Sequence, residues 1–201
     1  MYHKHHTKGI VVSSKIEGGD SRRVNIFTEN FGLISTRVQG ARNPHSKLRG
    51  NSQDFSFGEF SLVHGKSGWR MVSAEADKNL FEIFRNHSSK LKIVGNIFNL
   101  IRRLVSEEAR LNEEVGQEAH TALFSIVLNF LNFLMIAKEQ DIALAECLTL
   151  VRILHSLGFM RHDPEFTIPI SSAEITIKDL EIIAPKRSKM VRLINESLKA
   201  T

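Results

Sequence analysis

Residues 23–38 read RVNIFTENFGLISTRV. Two short segments rich in β-branched and aromatic residues, RVNIFT and GLISTRV, flank a break at Glu29-Asn30-Phe31, the pattern of paired strands. GIVVSS (residues 9–14) precedes them, and FSFGEFSLVHG (55–65) and GWRMVSAE (68–75) follow. The last two are joined by Gly65-Lys66-Ser67-Gly68, a hairpin-turn composition. Five strands packed this closely suit a small closed barrel, and the oligonucleotide-binding (OB) fold is the commonest barrel of that size.

Beyond Ala76 the apolar period changes from strand to helix. Leu91, Val94, Phe98, Ile101, Leu104 and Val105 form one stripe, with Ser88 or Ser89 as its expected N-cap. Leu123, Ile126, Val127, Phe130, Phe133 and Leu134 form a second. Leu144, Leu148, Val151, Ile153 and Leu154 form a third, stopped by Leu157-Gly158. FMRHDPEFTIPISS (159–172) reads as irregular, and a basic helix starting near Pro185 is expected to bury Met190, Val191, Ile194 and Leu198. The predicted class is α+β: a five-stranded OB-fold barrel over residues 1–76, then an all-α domain over 77–201 with a short irregular segment near 160–184.

Charge divides along the same line. Residues 1–76 hold 11 Lys and Arg against 6 Asp and Glu, a net of +5, whereas residues 77–201 hold 16 of each. The whole excess of the chain lies in the predicted barrel, as expected of the half that faces a polyanion. The first residues, MYHKHHTKG, lack the apolar core of a secretory signal. ALFSIVLNFLNFLMIA (122–137) falls short of the roughly 20 apolar residues of a membrane span, and Ser125, Asn129 and Asn132 interrupt it. A soluble, cytoplasmic protein with no membrane contact is expected.

Catalytic patterns fail one by one. Gly65-Lys66-Ser67 resembles the end of a phosphate loop, but the required earlier glycine position is Phe60. His3, His5 and His6 lack an acidic or cysteine partner nearby in sequence. EEVGQEAH carries Gln117 where a di-iron Glu-x-x-His motif requires Glu. Cys147 is the only cysteine, set among apolar residues as an inert core thiol, so neither a disulfide nor a cysteine zinc module is available. No Gly-x-Ser-x-Gly elbow occurs. The reading is a non-enzyme with no cofactor and no metal.

What remains is a basic segment. Residues 37–50, RVQGARNPHSKLRG, carry Arg37, Arg42, Lys47 and Arg49 and no acidic residue. Gly40, Pro44 and Gly50 predict an exposed, adaptable loop between the third and fourth strands. Arg forks and Lys charges on such a loop can follow a phosphate backbone without reading base sequence. Arg22, Arg23, Lys66 and Arg70 add charge in the same domain. Among the aromatic residues, Trp69, beside a turn and next to Arg70, is the best-placed stacking candidate.

Gly9-Ile-Val-Val, Ile26-Phe-Thr-Glu-Asn-Phe-Gly-Leu-Ile34, Gly40-Ala-Arg42, Ser46-Lys-Leu-Arg-Gly50, Phe55 and Ser73-Ala-Glu75 resemble the RecO family of DNA-repair proteins. The resemblance covers about residues 1–80 and continues more weakly to Ile153-Leu-His-Ser-Leu-Gly-Phe159. It implies an oligonucleotide-binding barrel followed by helices. The implied activity is recombination mediation: binding single- and double-stranded DNA, annealing complementary strands, and engaging single-strand-binding protein and RecR so that RecA loads. It also implies a groove for the acidic, aromatic-ended tail of single-strand-binding protein near Leu157-Gly158, with Arg152 the nearest cation. Cys147 and Leu148 stand where relatives can carry arginine. Two departures stand out: Met160-Arg-His-Asp-Pro-Glu-Phe replaces the four-cysteine zinc module many members carry, and the chain is short for the family. An RNA-binding barrel protein of translation or RNA decay is the rival binding module; a metal-dependent nuclease would need clustered carboxylates the sequence lacks.

Overall fold

The computed structural model describes residues 3–41, 43, 45–105, 114–160, 164–166, 172 and 174–199. Five strands, β1 (Lys4–Ile16), β2 (Arg22–Thr28), β3 (Gly32–Val38), β4 (Ser56–Gly65) and β5 (Gly68–Asn79), close into a barrel in the order β1-β2-β3-β5-β4. All neighbours are antiparallel except β3 and β5, which run parallel. The barrel is the OB-type architecture expected from the strand count, with β5 continuing to Asn79, past the expected boundary at residue 76.

The opening stretch folds as its chemistry dictates. The Thr28 hydroxyl donates to the Gly32 carbonyl at 2.8 Å and accepts from the Phe31 amide at 3.1 Å, closing the β2–β3 turn. Gly32 sits at φ 64°, where a side chain would be strained, and a Cβ there would lie 2.8 Å from Nδ1 of His120. The turn is thus also a contact point between the barrel and the helices. A bulge between Val11 and Ser13 breaks the β1–β2 register and adds the bend that a closing sheet needs.

Alternation along the strands yields two cores. Val11, Val24, Ile26, Ile34, Val38, Phe60, Leu62 and Met71 fill the barrel. Ile10, Val12, Phe27, Leu33 and Phe57 face the other way and join the core of the helical layer, where Phe27 meets Phe124 with ring centroids 5.5 Å apart.

The single-turn α1 (Lys47–Asn51) lies within the barrel half; then come α2 (Leu80–Phe84), α3 (Ser88–Leu104), α4 (Glu114–Ile136), α5 (Glu139–Ser156), a 3₁₀ turn (Pro164–Phe166), α6 (Ile177–Ile183), a second 3₁₀ turn (Ala184–Lys186) and α7 (Arg187–Lys199). Asn79 caps α2 by accepting from the Phe81 amide at 2.9 Å, so helix follows strand without a linker. The buried Lys90 ammonium donates to the carbonyls of Leu134 and Ala137 at 2.7 and 2.9 Å, binding α3 to the C-terminal end of α4, where orphan carbonyls and the helix dipole favour a cation. α5 ends at Gly158 with φ 76°, and the Phe159 amide returns to the Leu154 carbonyl at 2.8 Å, the expected glycine stop.

Four local expectations change. His87, not Ser88 or Ser89, occupies the N-cap of α3, without a side-chain cap. The segment near 160–184 is not wholly irregular: Thr176 and Asp179 form a reciprocal capping box that starts α6. In α7, Met190 and Ile194 are buried and Leu198 is half-buried along one row, whereas Val191, one position off that row, is exposed. Gly116–Ile136 is long and apolar enough by length and composition to cross a membrane, contrary to the expected shortfall. Leu123, Phe124, Val127, Phe130, Leu131, Phe133 and Leu134 on this helix are buried in the protein's own core, the role expected of a central helix.

Candidate nucleic-acid interface

Strand register sorts the outer face of β1, β2 and β3 into rows. Ile10, Phe27 and Leu33 are cross-strand partners and form the apolar row beneath the helices. Ser13, Asn25 and Ser35 form a polar row, tied by an Asn25 Nδ2 to Ser13 Oγ hydrogen bond of 3.2 Å. Lys15, Arg23 and Arg37 are partners in the third row, and the parallel pairing adds Arg70 on β5. The barrel surface therefore passes from apolar to polar to cationic as it emerges from under the helical layer.

Within the cationic row, Lys15, Arg37 and Arg70 are exposed. Arg23 is half-buried and donates to Glu17 Oε1 through Nε at 2.8 Å and Nη2 at 2.5 Å. Arg37 Nη2 reaches Ser21 Oγ at 3.3 Å. Arg22 lies out of this row: it alternates into phase with Val24 and Ile26 and pairs with Val38 at the end of the barrel. Lys66 stands at the β4–β5 turn and, with Arg70, lines a shallow cavity of about 210 Å³.

The described part of the basic segment holds more regular structure than its glycines and proline suggested. Arg37 and Val38 belong to β3, and Lys47–Asn51 form α1. The Ser46 hydroxyl accepts from the Leu48 amide at 3.3 Å as the N-cap, Leu48 packs against the barrel core, and Asn51 Nδ2 donates to the Ala74 carbonyl at 2.7 Å. The polar cap and one apolar anchor suffice to fix a single turn against β5, leaving Lys47 and Arg49 exposed. Arg42 lies outside the described residues.

Trp69 is not an open platform. It is half-buried, with ring centroids of Phe31, His5 and His64 at 5.2, 5.5 and 4.9 Å. Trp69 falls in phase with the inward-facing Met71, which turns its ring toward the barrel end. Burial, together with His3 and His64 close by, pushes the His5 pKa down. Arg152 is also displaced from its expected role. It is 1% exposed, beneath the helical surface, so it cannot rim a groove. Burial pushes its pKa down to about 10, opposed by the charge of Asp179. Cys147 is buried as expected, and burial raises its pKa against the nearby Arg187. Among the described residues no three His, Cys, Asp or Glu side chains gather as a metal site; His162 and Asp163 lie outside those residues.

Sequence reasoning missed Lys15, the polar row and Arg102, a cation in the last turn of α3. Alternation around the buried Val24 and Ile26 places Arg23 and Asn25 outward and so contained the signal for the β2 members. The approach of Arg102 to them is a tertiary fact.

Residues 1–76 match the family model described as recombination protein O N terminal. The chain is 25% identical over 153 residues to the DNA repair protein RecO of Acetivibrio thermocellus, covering 76% of this chain and 57% of that protein. It is 41% identical over 75 residues to the DNA repair protein RecO of Synechocystis sp., covering 37% and 28%. With the DNA repair protein RecO of Prosthecochloris aestuarii the identity is 28% over 180 residues, covering 89% and 63%. The chain thus spans less than two thirds of the length of each of these relatives.

Proposed function

We propose, from a chain that belongs to the RecO family by its N-terminal barrel, that this protein is a non-enzymatic, cytoplasmic recombination mediator in DNA repair. It binds single- and double-stranded DNA, anneals complementary strands, and with RecR and single-strand-binding protein assists RecA loading. The observation that carries the reading is the cationic row Lys15–Arg23–Arg37–Arg70, continuous across four strands of a barrel that matches the family. Lys47, Arg49 and Lys66 extend this charge on α1 and the hairpin turn, and Arg42 lies in the segment just before α1.

Mechanistically, guanidinium forks and ammonium groups neutralise phosphates. Two strands held against one cationic surface repel each other less, so complementary bases can pair without any covalent step. Phosphate contacts carry no base information, which suits a protein that must act on any sequence. Trp69, with its ring engaged by Phe31 and two imidazoles, is better suited to holding the barrel end than to stacking a base.

The test is annealing of complementary DNA strands coated with single-strand-binding protein, with matched RNA strands alongside. Acceleration of DNA annealing is expected. No acceleration, or acceleration confined to RNA, would overturn the reading.

A further inference from the structure

A polar cleft of about 440 Å³ opens where the helical layer ends on the barrel. We propose that it is a phosphate site through which a DNA backbone passes from the barrel onto the helical layer, making Arg102 part of the binding surface. The inference rests on the DNA-binding reading above and gives the bound strand a path.

The lining carries the argument. Lys15 and Arg23 approach from β1 and β2, and Arg102 from the last turn of α3. Ser13, Ser14, Asn25 and Ser35 complete the wall, and among the described residues no carboxylate lines it. Glu17 is engaged by Arg23 outside the lining. Three cations with hydroxyl and amide donors suit an anion with several oxygens, as charge-assisted hydrogen bonds to phosphate require. A seam between apolar layers could equally well be closed by apolar or ion-paired side chains. Here the polar row begins where the apolar row stops, and the helix meets it with a cation.

The cleft also adjoins the exposed row. Arg23 belongs to both, and Arg37 is its direct cross-strand partner. A backbone lying along Arg70, Arg37 and Arg23 therefore arrives at Lys15 and Arg102 along a row of cationic positions, of which Arg23 is paired with Glu17. The shared chemistry is a phosphate group, either an internal phosphodiester or the terminal phosphate of a strand end; the strand path favours the internal one.

The full chain carrying Lys15→Ala and Arg102→Ala would be titrated against fluorescent single-stranded oligonucleotides between 50 and 200 mM salt. One oligonucleotide would carry a 5′-phosphate and one a 5′-hydroxyl. Two lost contacts should reduce the log-affinity against log-salt slope by about 1.4, at roughly 0.7 per phosphate on single strands, equally for both ends. Both residues are exposed, so the thermal melt should hold; Arg102→Lys should restore most of the Arg102 share and Arg102→Gln should not. A wild-type slope in the double variant, while an Arg37→Gln, Arg70→Gln protein loses affinity, would overturn the cleft and leave the DNA-binding reading standing. A loss confined to the 5′-phosphorylated strand would overturn the backbone path in favour of end binding. Failure of the wild-type chain to bind DNA would overturn both readings.

Discussion

Replacing Arg37 and Arg70 together by Gln tests the cationic row directly. The two are Cα partners on the parallel β3–β5 pair, and both side chains are exposed. The only hydrogen bond described for either side chain is from Arg37 to Ser21 at 3.3 Å, so the stability cost is at most about 1 kcal/mol. Relief of repulsion between neighbouring guanidinium groups acts in the opposite direction, and the melting temperature should move little. The binding effect is larger and has a distinctive form. If Arg37, Arg70, Lys47 and Arg49 each meet one phosphate of a single strand, the log–log salt slope is about −2.8, and affinity falls roughly 50-fold between 50 and 200 mM salt. With two of the four removed, the slope becomes about −1.4 and the fall about 7-fold. Anisotropy titrations at four salt concentrations, with two unrelated oligonucleotide sequences, would measure both slopes. The loss should not depend on sequence. A double variant with the wild-type slope, or one that discriminates between the two sequences, would refute the argument that this row lies along a phosphate backbone.

Three other outcomes follow from the structure. Lys90→Met keeps the aliphatic stem but leaves the Leu134 and Ala137 carbonyls without their cation; a destabilisation of about 3 kcal/mol is expected in urea titration, since bonds to charged groups are each worth about 1.5–3 kcal/mol. His5 and His120 both have pKa values lowered by burial, His5 also by His3 and His64, so the unfolded chain binds protons more readily. Stability should be full above about pH 6.5 and fall as pH drops through that value toward their lower folded pKa values; Trp69, the only tryptophan, reports the unfolding, and His5→Gln should flatten the pH dependence. A fragment ending at Asn79 exposes Ile10, Val12, Phe27, Leu33 and Phe57; at about 1.5–3 kcal/mol per buried side chain it forgoes roughly 10 kcal/mol of burial, so calorimetry should show one transition for the full chain and light scattering should show association of the fragment.

The barrel was legible in the sequence because its signals are local. β-branched alternation, the Thr28 to Gly32 turn and the residue 65–68 hairpin each specify an element within a few residues. The glycine that stops α5 is local too. The capping box at Thr176 and Asp179 is equally local, but Pro164 and Pro169 just upstream make the surrounding segment read as irregular. Other features were not readable for physical reasons. Gly40, Pro44 and Gly50 argue for a loop around Lys47, yet Leu48 finds barrel core to bury against and Asn51 finds the Ala74 carbonyl, and tertiary contact outweighs propensity. Arg152 reads as a helix-surface cation until the packing of α6 and α7 against α5 covers it. The cationic row is a property of register: Lys15, Arg23, Arg37 and Arg70 are scattered along the chain and become neighbours only when four strands pair.

That register is held by the barrel interior and not by the cations. A one-residue slip of β2 against β3 would turn Arg23 and Asn25 inward and Val24 and Ile26 outward, so burial of the apolar set fixes the polar one. The same constraint puts Arg23 opposite Arg37 and Arg37 opposite Arg70, and among the described residues Glu17 is the ion-pair partner in that neighbourhood. Like charges at directly opposite positions disfavour folding by a few tenths of a kcal/mol or more per pair. Lys15, Arg37 and Arg70 are exposed, and a Gln or Thr would satisfy the outer face at those positions as well. An arrangement that opposes folding slightly and is imposed by strand register is accounted for when an anion supplies the missing countercharge. A phosphate backbone supplies it at each successive row position, releasing its own condensed counterions as it does so. The polar row and Arg102 lie on the line that such a backbone would follow, which connects the barrel's cationic face to the helical layer that completes its fold.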